Sequence, residues 1–176
     1  MSRIATPAVS EATGETAEIF ARVKKAAGGV PNAYAAIGAL NPAALGALLD
    51  LDGAATSLAK TDVETIKLIV SVATGCDYCI AAHSLVGKLT GLSADAVRQI
   101  RQGQPTGDAK RDALAAFVRN LARTSGNISD DQFAAIKAAG YSDQQLADIS
   151  LTIATGIFTN MFNRINATDI DFPAVD

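Results

Sequence analysis

The sequence predicts an all-α fold: a single-domain bundle of about eight or nine short helices, and three observations point to it. The apolar content, 49% of the residues, is mainly Ala, Leu, Ile and Val, with six Phe, three Tyr and no Trp, a composition that favours closely packed helices. Apolar positions recur at helical spacing, and the stretches between them carry helix start and stop signals. No segment alternates apolar and polar residues at period two, as a half-buried strand would. At 176 residues and 18.1 kDa the chain reads as one domain, residues 1–176, with its core over about 15–168 and less regular tails. A chain of this length can bury roughly two-thirds of its unfolded surface without disulfide or metal staples.

The elements follow in order. Residues 15–27 form a first helix that stops at Gly28-Gly29. The stretch VPNAYAAIGALNPAALGALLDL holds two short helices divided by Asn41-Pro42, because proline ends one helix and suits the first turn of the next. Thr61 reads as the N-cap of a helix reaching about Thr74, with Ile66, Ile69, Val70 and Ala73 on one face and Gly75 as its stop,. A second helix begins around Cys76 and runs to Leu89. It closes at Gly91-Leu92-Ser93, where Gly suits a left-handed stop and Ser the next N-cap,. Helices near 93–102, 109–124 and 129–139 are joined by the polar turns GQPTGD and SGNIS. The same stop-and-start device at Gly140-Tyr141-Ser142 precedes a long helix from Asp143 to about Asn166, a faint hint of internal duplication.

A net charge of −3 and a pI near 5.1 leave no block of Lys and Arg for phosphates, so neither nucleic acid nor an anionic membrane is an expected partner. The amino-terminal MSRIATPAVSEATGETAEIF is too polar for a signal sequence. The apolar window LIVSVATGCDYCIAA is interrupted by Gly75, Cys76 and Asp77 before it reaches spanning length,. The expected compartment is the cytoplasm, where two cysteines three apart rest reduced and a disulfide between them is transient.

Both cysteines and the one histidine fall in GCDYCIAAH, residues 75–83. At about 100° per residue, Cys76, Cys79 and His83 lie within about 60° of one another on a helix. Attachment of c-type haem requires His directly after the second Cys, where Ile80 stands,. A structural zinc site requires four ligands, and the chain has no further Cys or His,. No metal and no cofactor is therefore expected.

Thiol redox chemistry fits better. The helix N-terminus favours a thiolate at Cys76, whereas His83, at i+4 from Cys79, can take a proton from Cys79 more easily. The spacing leaves the two cysteines in competition. Helical Cβ atoms at i and i+3 are about 5–6 Å apart and a disulfide wants about 3.5–4.5 Å, so closing Cys76–Cys79 needs the first turn to adjust and gives a reducible bond.

Glu64 lies about 18 Å from Cys76 along an unbroken helix. If the chain folds back at Gly75, Glu64 and His83 differ in axial height by only about 4.5 Å. Their carboxylate and imidazole could then form a relay Glu64–His83–Cys79. Thr61-Asp62-Val63-Glu64 also matches the capping box T-x-x-E,, so a second role for Glu64 stays open. Two small cysteines in an Ala-rich helix can equally be core residues.

The pattern Glu64-x11-Cys76-x2-Cys79-x3-His83 followed by GLS resembles the alkylhydroperoxidase D-like, carboxymuconolactone decarboxylase superfamily. GVPNAYAAIGALNPA and NMFNRINATDIDFP are similar to the flanks of its peroxidase-related members, so the resemblance covers about residues 29–172. It implies an all-helical fold that assembles as a homo-oligomer, commonly a trimer or hexamer, and a thiol peroxidase acting on hydroperoxides.

Position by position, the resemblance makes Cys79 the peroxidatic cysteine, Cys76 the resolving one, and His83 with Glu64 the proton relay. It implies a dithiol reductant such as a lipoyl protein, and a peroxiredoxin as a further partner. Tyr78 stands where the archetype carries His, which removes one proton-transfer group. The alternatives are a carboxymuconolactone decarboxylase-type lyase, whose members generally lack the cysteine pair, and a non-catalytic, redox-sensing helical oligomer.

Overall fold

The structure, a computed structural model, describes residues 1–175. After a short 3-10 turn at Val9–Glu11 come α1 (Gly14–Ala27), α2 (Asn32–Leu40), α3 (Pro42–Ala54), α4 (Lys60–Thr74), α5 (Asp77–Thr90), α6 (Ala94–Gln102), α7 (Ala109–Thr124), α8 (Asp130–Ala138) and α9 (Asp143–Asn166). Among the described residues there is no strand. The fold is all-α, as the composition and periodicity require.

α4 is the central helix and packs against α5, α6, α7 and α9. Its middle is accordingly apolar nearly all round: Ile66, Leu68, Ile69 and Val70 are all buried, joined by Val97, Ile100, Leu114, Val118, Ile136, Tyr141 and Ile149 in the main core. A smaller core of Phe20, Val23, Ile37, Leu45 and Leu48 holds α1, α2 and α3 together, and Phe162 of α9 packs against it. At about 25 cal/mol per Å² of apolar surface, each fully buried Leu or Ile contributes about 2 kcal/mol.

The polar junctions work as the cap chemistry predicts. Ser93, Asp108, Ser129 and Ser142 accept from the amides of Ala96, Arg111, Gln132 and Gln145, each three residues on. At both G-[LY]-S junctions the amide of the middle residue turns back, Leu92 to the Gly87 carbonyl and Tyr141 to the Ile136 carbonyl. Leu92 and Tyr141 are themselves buried. The repeated motif is thus one local solution used twice.

Three expectations are corrected. Thr61 is not an N-cap: α4 starts at Lys60 behind Ala59, and no side chain caps it. The T-x-x-E capping box consequently does not form, since Thr61 lies inside the first turn, where its carbonyl accepts from Thr65 Oγ1. Ala73 is exposed rather than in the core, because the last turn of α4 borders an open cleft toward α6 and α7. Finally, α5 starts at Asp77, and Cys76 is its N-cap in extended conformation (φ −95°, ψ 94°). Among the described residues no helix is long and apolar enough to cross a membrane.

Candidate dithiol site

The α4–α5 turn builds the site. Gly75 adopts φ +64°, a left-handed conformation that costs a residue with Cβ about 1–2 kcal/mol. The Cys76 amide reaches back to the Ser71 carbonyl at 3.0 Å, closing a Schellman-type stop. Two antiparallel helices result, and Gly87 of α5 leaves room for Leu92, whose Cδ1 would lie 3.2 Å from a Cβ at that position. The fold-back brings Glu64 and His83 together, with His83 Nδ1 2.9 Å from Glu64 Oε2. Glu64 is buried and the His83 side chain is 20% exposed. A carboxylate opposite Nδ1 selects the Nδ1–H tautomer and leaves Nε2 as an acceptor.

Cys76 and Cys79 are reduced and buried, with 1% and 3% of their surfaces exposed. The Cys79 amide donates to Cys76 Sγ at 3.3 Å, so sulfur serves as the cap that Ser or Asp supplies elsewhere. The Cys79 thiol also donates to Cys76. That bond first, against the cost of burial, then the amide, holds the Cys76 thiol below its ordinary pKa; Asp77 works against ionisation and Arg164 for it. The same bond, with burial, pushes the Cys79 thiol up. Cys76 is therefore the thiol that ionises more readily of the two, as the helix N-terminus favours,.

All four expected residues, Glu64, Cys76, Cys79 and His83, converge on the α4–α5 hairpin. Among the described residues, however, no direct hydrogen bond joins His83 to Cys79. The Cys79 sulfur instead accepts from Asn163 Nδ2 of α9 at 3.3 Å.

The sequence reading missed several neighbours. Asn160, one turn before Asn163, donates to Thr74 Oγ1 at 3.0 Å and pins α9 to the end of α4. Lys67, one turn beyond Glu64, pairs with Asp52 at 2.9 Å in a largely buried ion pair. The phenol of Tyr34 lies within electrostatic reach of Lys67, Asp52, Glu64 and Cys79, and burial first of all raises its pKa. Tyr78 is buried, its hydroxyl accepting from the Ala33 amide at 3.1 Å and its ring meeting Phe172 edge-on at 5.4 Å. Burial likewise pushes its phenol far above the ordinary value. It is tied into the fold rather than placed as an acid. The asparagine-rich segment NMFNRIN was the one available signal for the α9 contribution. Among the described residues no group of three or more His, Cys, Asp and Glu side chains is placed to hold a metal ion.

Residues 41–119 match the model of the carboxymuconolactone decarboxylase family, a span that includes Glu64, both cysteines and His83. No curated protein matches the sequence. Among solved structures, the chain is similar to an alkylhydroperoxidase AhpD core, an uncharacterized peroxidase-related protein from Ralstonia eutropha JMP134, with 20% identity and a TM-score of 0.83 over 97% of this chain and 92% of that one. An uncharacterized peroxidase-related protein from Silicibacter sp. TM1040 gives 20% identity and a TM-score of 0.80 over 96% and 91%. The debrominase Bmp8 in complex with 2,3,4-tribromopyrrole gives 21% identity and a TM-score of 0.80 over 97% and 94%. The chain thus matches the carboxymuconolactone decarboxylase family over residues 41–119, and it shares its all-helical fold with these solved structures.

Proposed function

We propose that the chain is a thiol-dependent peroxidase that reduces hydroperoxides through a dithiol–disulfide cycle of Cys76 and Cys79, assisted by Glu64 and His83. The observation that carries this reading is the contact between His83 Nδ1 and Glu64 Oε2, 2.9 Å long, on the helix that bears the dithiol. Two cysteines kept for packing do not require a buried carboxylate–imidazole pair one turn away.

In the cycle, the Cys79 proton passes to His83 Nε2 by way of one water, since no direct hydrogen bond joins the two, and Glu64 holds the resulting imidazolium. The base is needed because the Cys79 thiol donates to Cys76 and resists ionising alone. The Cys79 thiolate attacks the terminal peroxide oxygen: the S–O bond forms, the O–O bond breaks, and the alkoxide leaves as alcohol with the proton from His83. Cys79 is then a sulfenic acid. The Cys76 thiol gives up its proton as its sulfur attacks Cys79 Sγ, the S–S bond forms, and hydroxide leaves with that proton as water. Because Cys76 is an extended N-cap, the pair can close without unwinding a helical turn. An external dithiol returns two electrons and two protons.

The donor proposed from the resemblance is a lipoyl protein, with a peroxiredoxin as a further partner, in the cytoplasm. The proposed homo-oligomer would cover apolar surface such as Phe158, Met161 and Ile165, all exposed on α9. A carboxymuconolactone decarboxylase-type lyase is the alternative within the superfamily, and it leaves the dithiol without a task. A redox-sensing oligomer leaves the Glu64–His83 pair without one. A thiolate pair also suits debromination, the activity in the name of the debrominase Bmp8, so a brominated pyrrole belongs in the assay.

The test is peroxide consumption with a dithiol donor in wild type, Cys76→Ser and Cys79→Ser. Turnover is expected to vanish in both variants, with a trappable sulfenic acid only in Cys76→Ser. Sulfenic acid only in Cys79→Ser would exchange the two roles. Wild-type consumption by both variants would end the peroxidase reading.

A further inference from the structure

Asn163 reaches Cys79 from α9, 84 residues away in sequence, and its Nδ2 donates to Sγ at 3.3 Å. It is 3% exposed. Its Oδ1 is buried and has no hydrogen-bond partner among the described residues. A buried acceptor left unpaired destabilises a fold and calls for an explanation. Leu would fill a similar volume without that cost, so packing does not account for an amide here. α9 is anchored on both sides of Asn163, by Asn160 to Thr74 Oγ1 and by Arg164 to the Thr74 carbonyl. The carboxamide is thus held against the sulfur, with a donor on Sγ and an unused acceptor on the same small group.

We propose that Asn163 is a further catalytic residue of the site, its Nδ2 stabilising the Cys79 thiolate and its Oδ1 accepting the O–H of the hydroperoxide that the thiolate attacks. The second half rests on the peroxidase reading above. The terminal peroxide oxygen carries one hydrogen and becomes the sulfenic acid oxygen, so a single acceptor serves both: it orients that oxygen on the sulfur before O–O cleavage, and it holds the S–O–H afterwards. The amide is neither oxidised nor protonated, and it changes only the charge and geometry at the reacting sulfur.

The test uses Cys76→Ser, which leaves Cys79 as the one thiol, with and without Asn163→Leu; Asn163→Ala is the second variant should the Leu protein fail to fold. Ultraviolet absorbance of the thiolate against pH reports Cys79 ionisation. Loss of a charge-assisted donor should raise the midpoint by about one to two units. This readout requires no peroxide, so it judges the thiolate half even if the peroxidase reading fails. With hydrogen peroxide above both midpoints, sulfenic acid formation should slow about tenfold in the Asn163 variant. An unchanged midpoint overturns the donor role, and an unchanged rate with a raised midpoint overturns the acceptor role.

Discussion

Replacing Glu64 by Gln is the sharpest single perturbation of the proposed relay. The side chain keeps its shape, so the packing of α4 on α5 is preserved, but the charge facing His83 Nδ1 across 2.9 Å is removed. Before proton transfer, Gln can still accept a neutral hydrogen bond from Nδ1–H. After transfer, the imidazolium loses a charge-assisted bond in a site where Glu64 is buried and His83 mostly so. Hydrogen bonds to charged groups contribute about 1.5–3 kcal/mol, against about 1 kcal/mol for neutral ones. A difference of about 1–2 kcal/mol in the transition state is roughly a five- to thirtyfold loss of rate.

The assay is single-turnover sulfenic acid formation in a Cys76→Ser background, with thermal melts to confirm that the fold is intact. His83→Ala should lose at least as much. The double variant should lose no more than His83→Ala alone, because the carboxylate acts only through the imidazole. A Glu64→Gln protein that reacts at the parent rate, or losses that add in the double variant, would refute the relay.

Two further predictions follow from the sulfurs and their neighbour. Cys76 ionises below its ordinary pKa chiefly because the Cys79 thiol donates to it. In Cys79→Ala that donor is gone, so the pH midpoint for alkylation of Cys76 should move up, and an unchanged or lower midpoint would contradict that hydrogen bond. Tyr78→Phe removes the acceptor of the buried Ala33 amide and should cost about 1–3 kcal/mol in denaturant unfolding while sparing the rate of Cys79 oxidation. Loss of that rate at unchanged stability would make the phenol a proton carrier.

The parts of this molecule that were legible in the sequence are those decided locally. Glycine stops, serine caps and the fold-back at Gly75 are set within a few residues, and from the fold-back the Glu64–His83 contact follows by helix geometry alone. Thr61 shows where local reading fails: a capping-box pattern that begins within the first turn of α4 lost to a start at Lys60, and its Glu is drawn to His83 rather than to its own helix end. Asn163, Lys67 and Tyr34 were out of reach for another reason. They come to the site from α9, α4 against α3, and α2, through packing between segments far apart in sequence. Nothing in their local spacing marks them. For the thiols the sequence pointed both ways, the helix N-terminus toward Cys76 and the His83 spacing toward Cys79; Cys76 ionises more readily because it stands outside the helix as its cap while Cys79 lies within it.

The most direct measurement is to react the fully reduced protein with one equivalent of an organic hydroperoxide, then map thiols and disulfides by mass spectrometry while quantifying the alcohol released. The account predicts one alcohol per chain, a loss of two hydrogens in mass, and an intramolecular Cys76–Cys79 disulfide that a dithiol reverses. Unchanged free thiols with the hydroperoxide intact would contradict it.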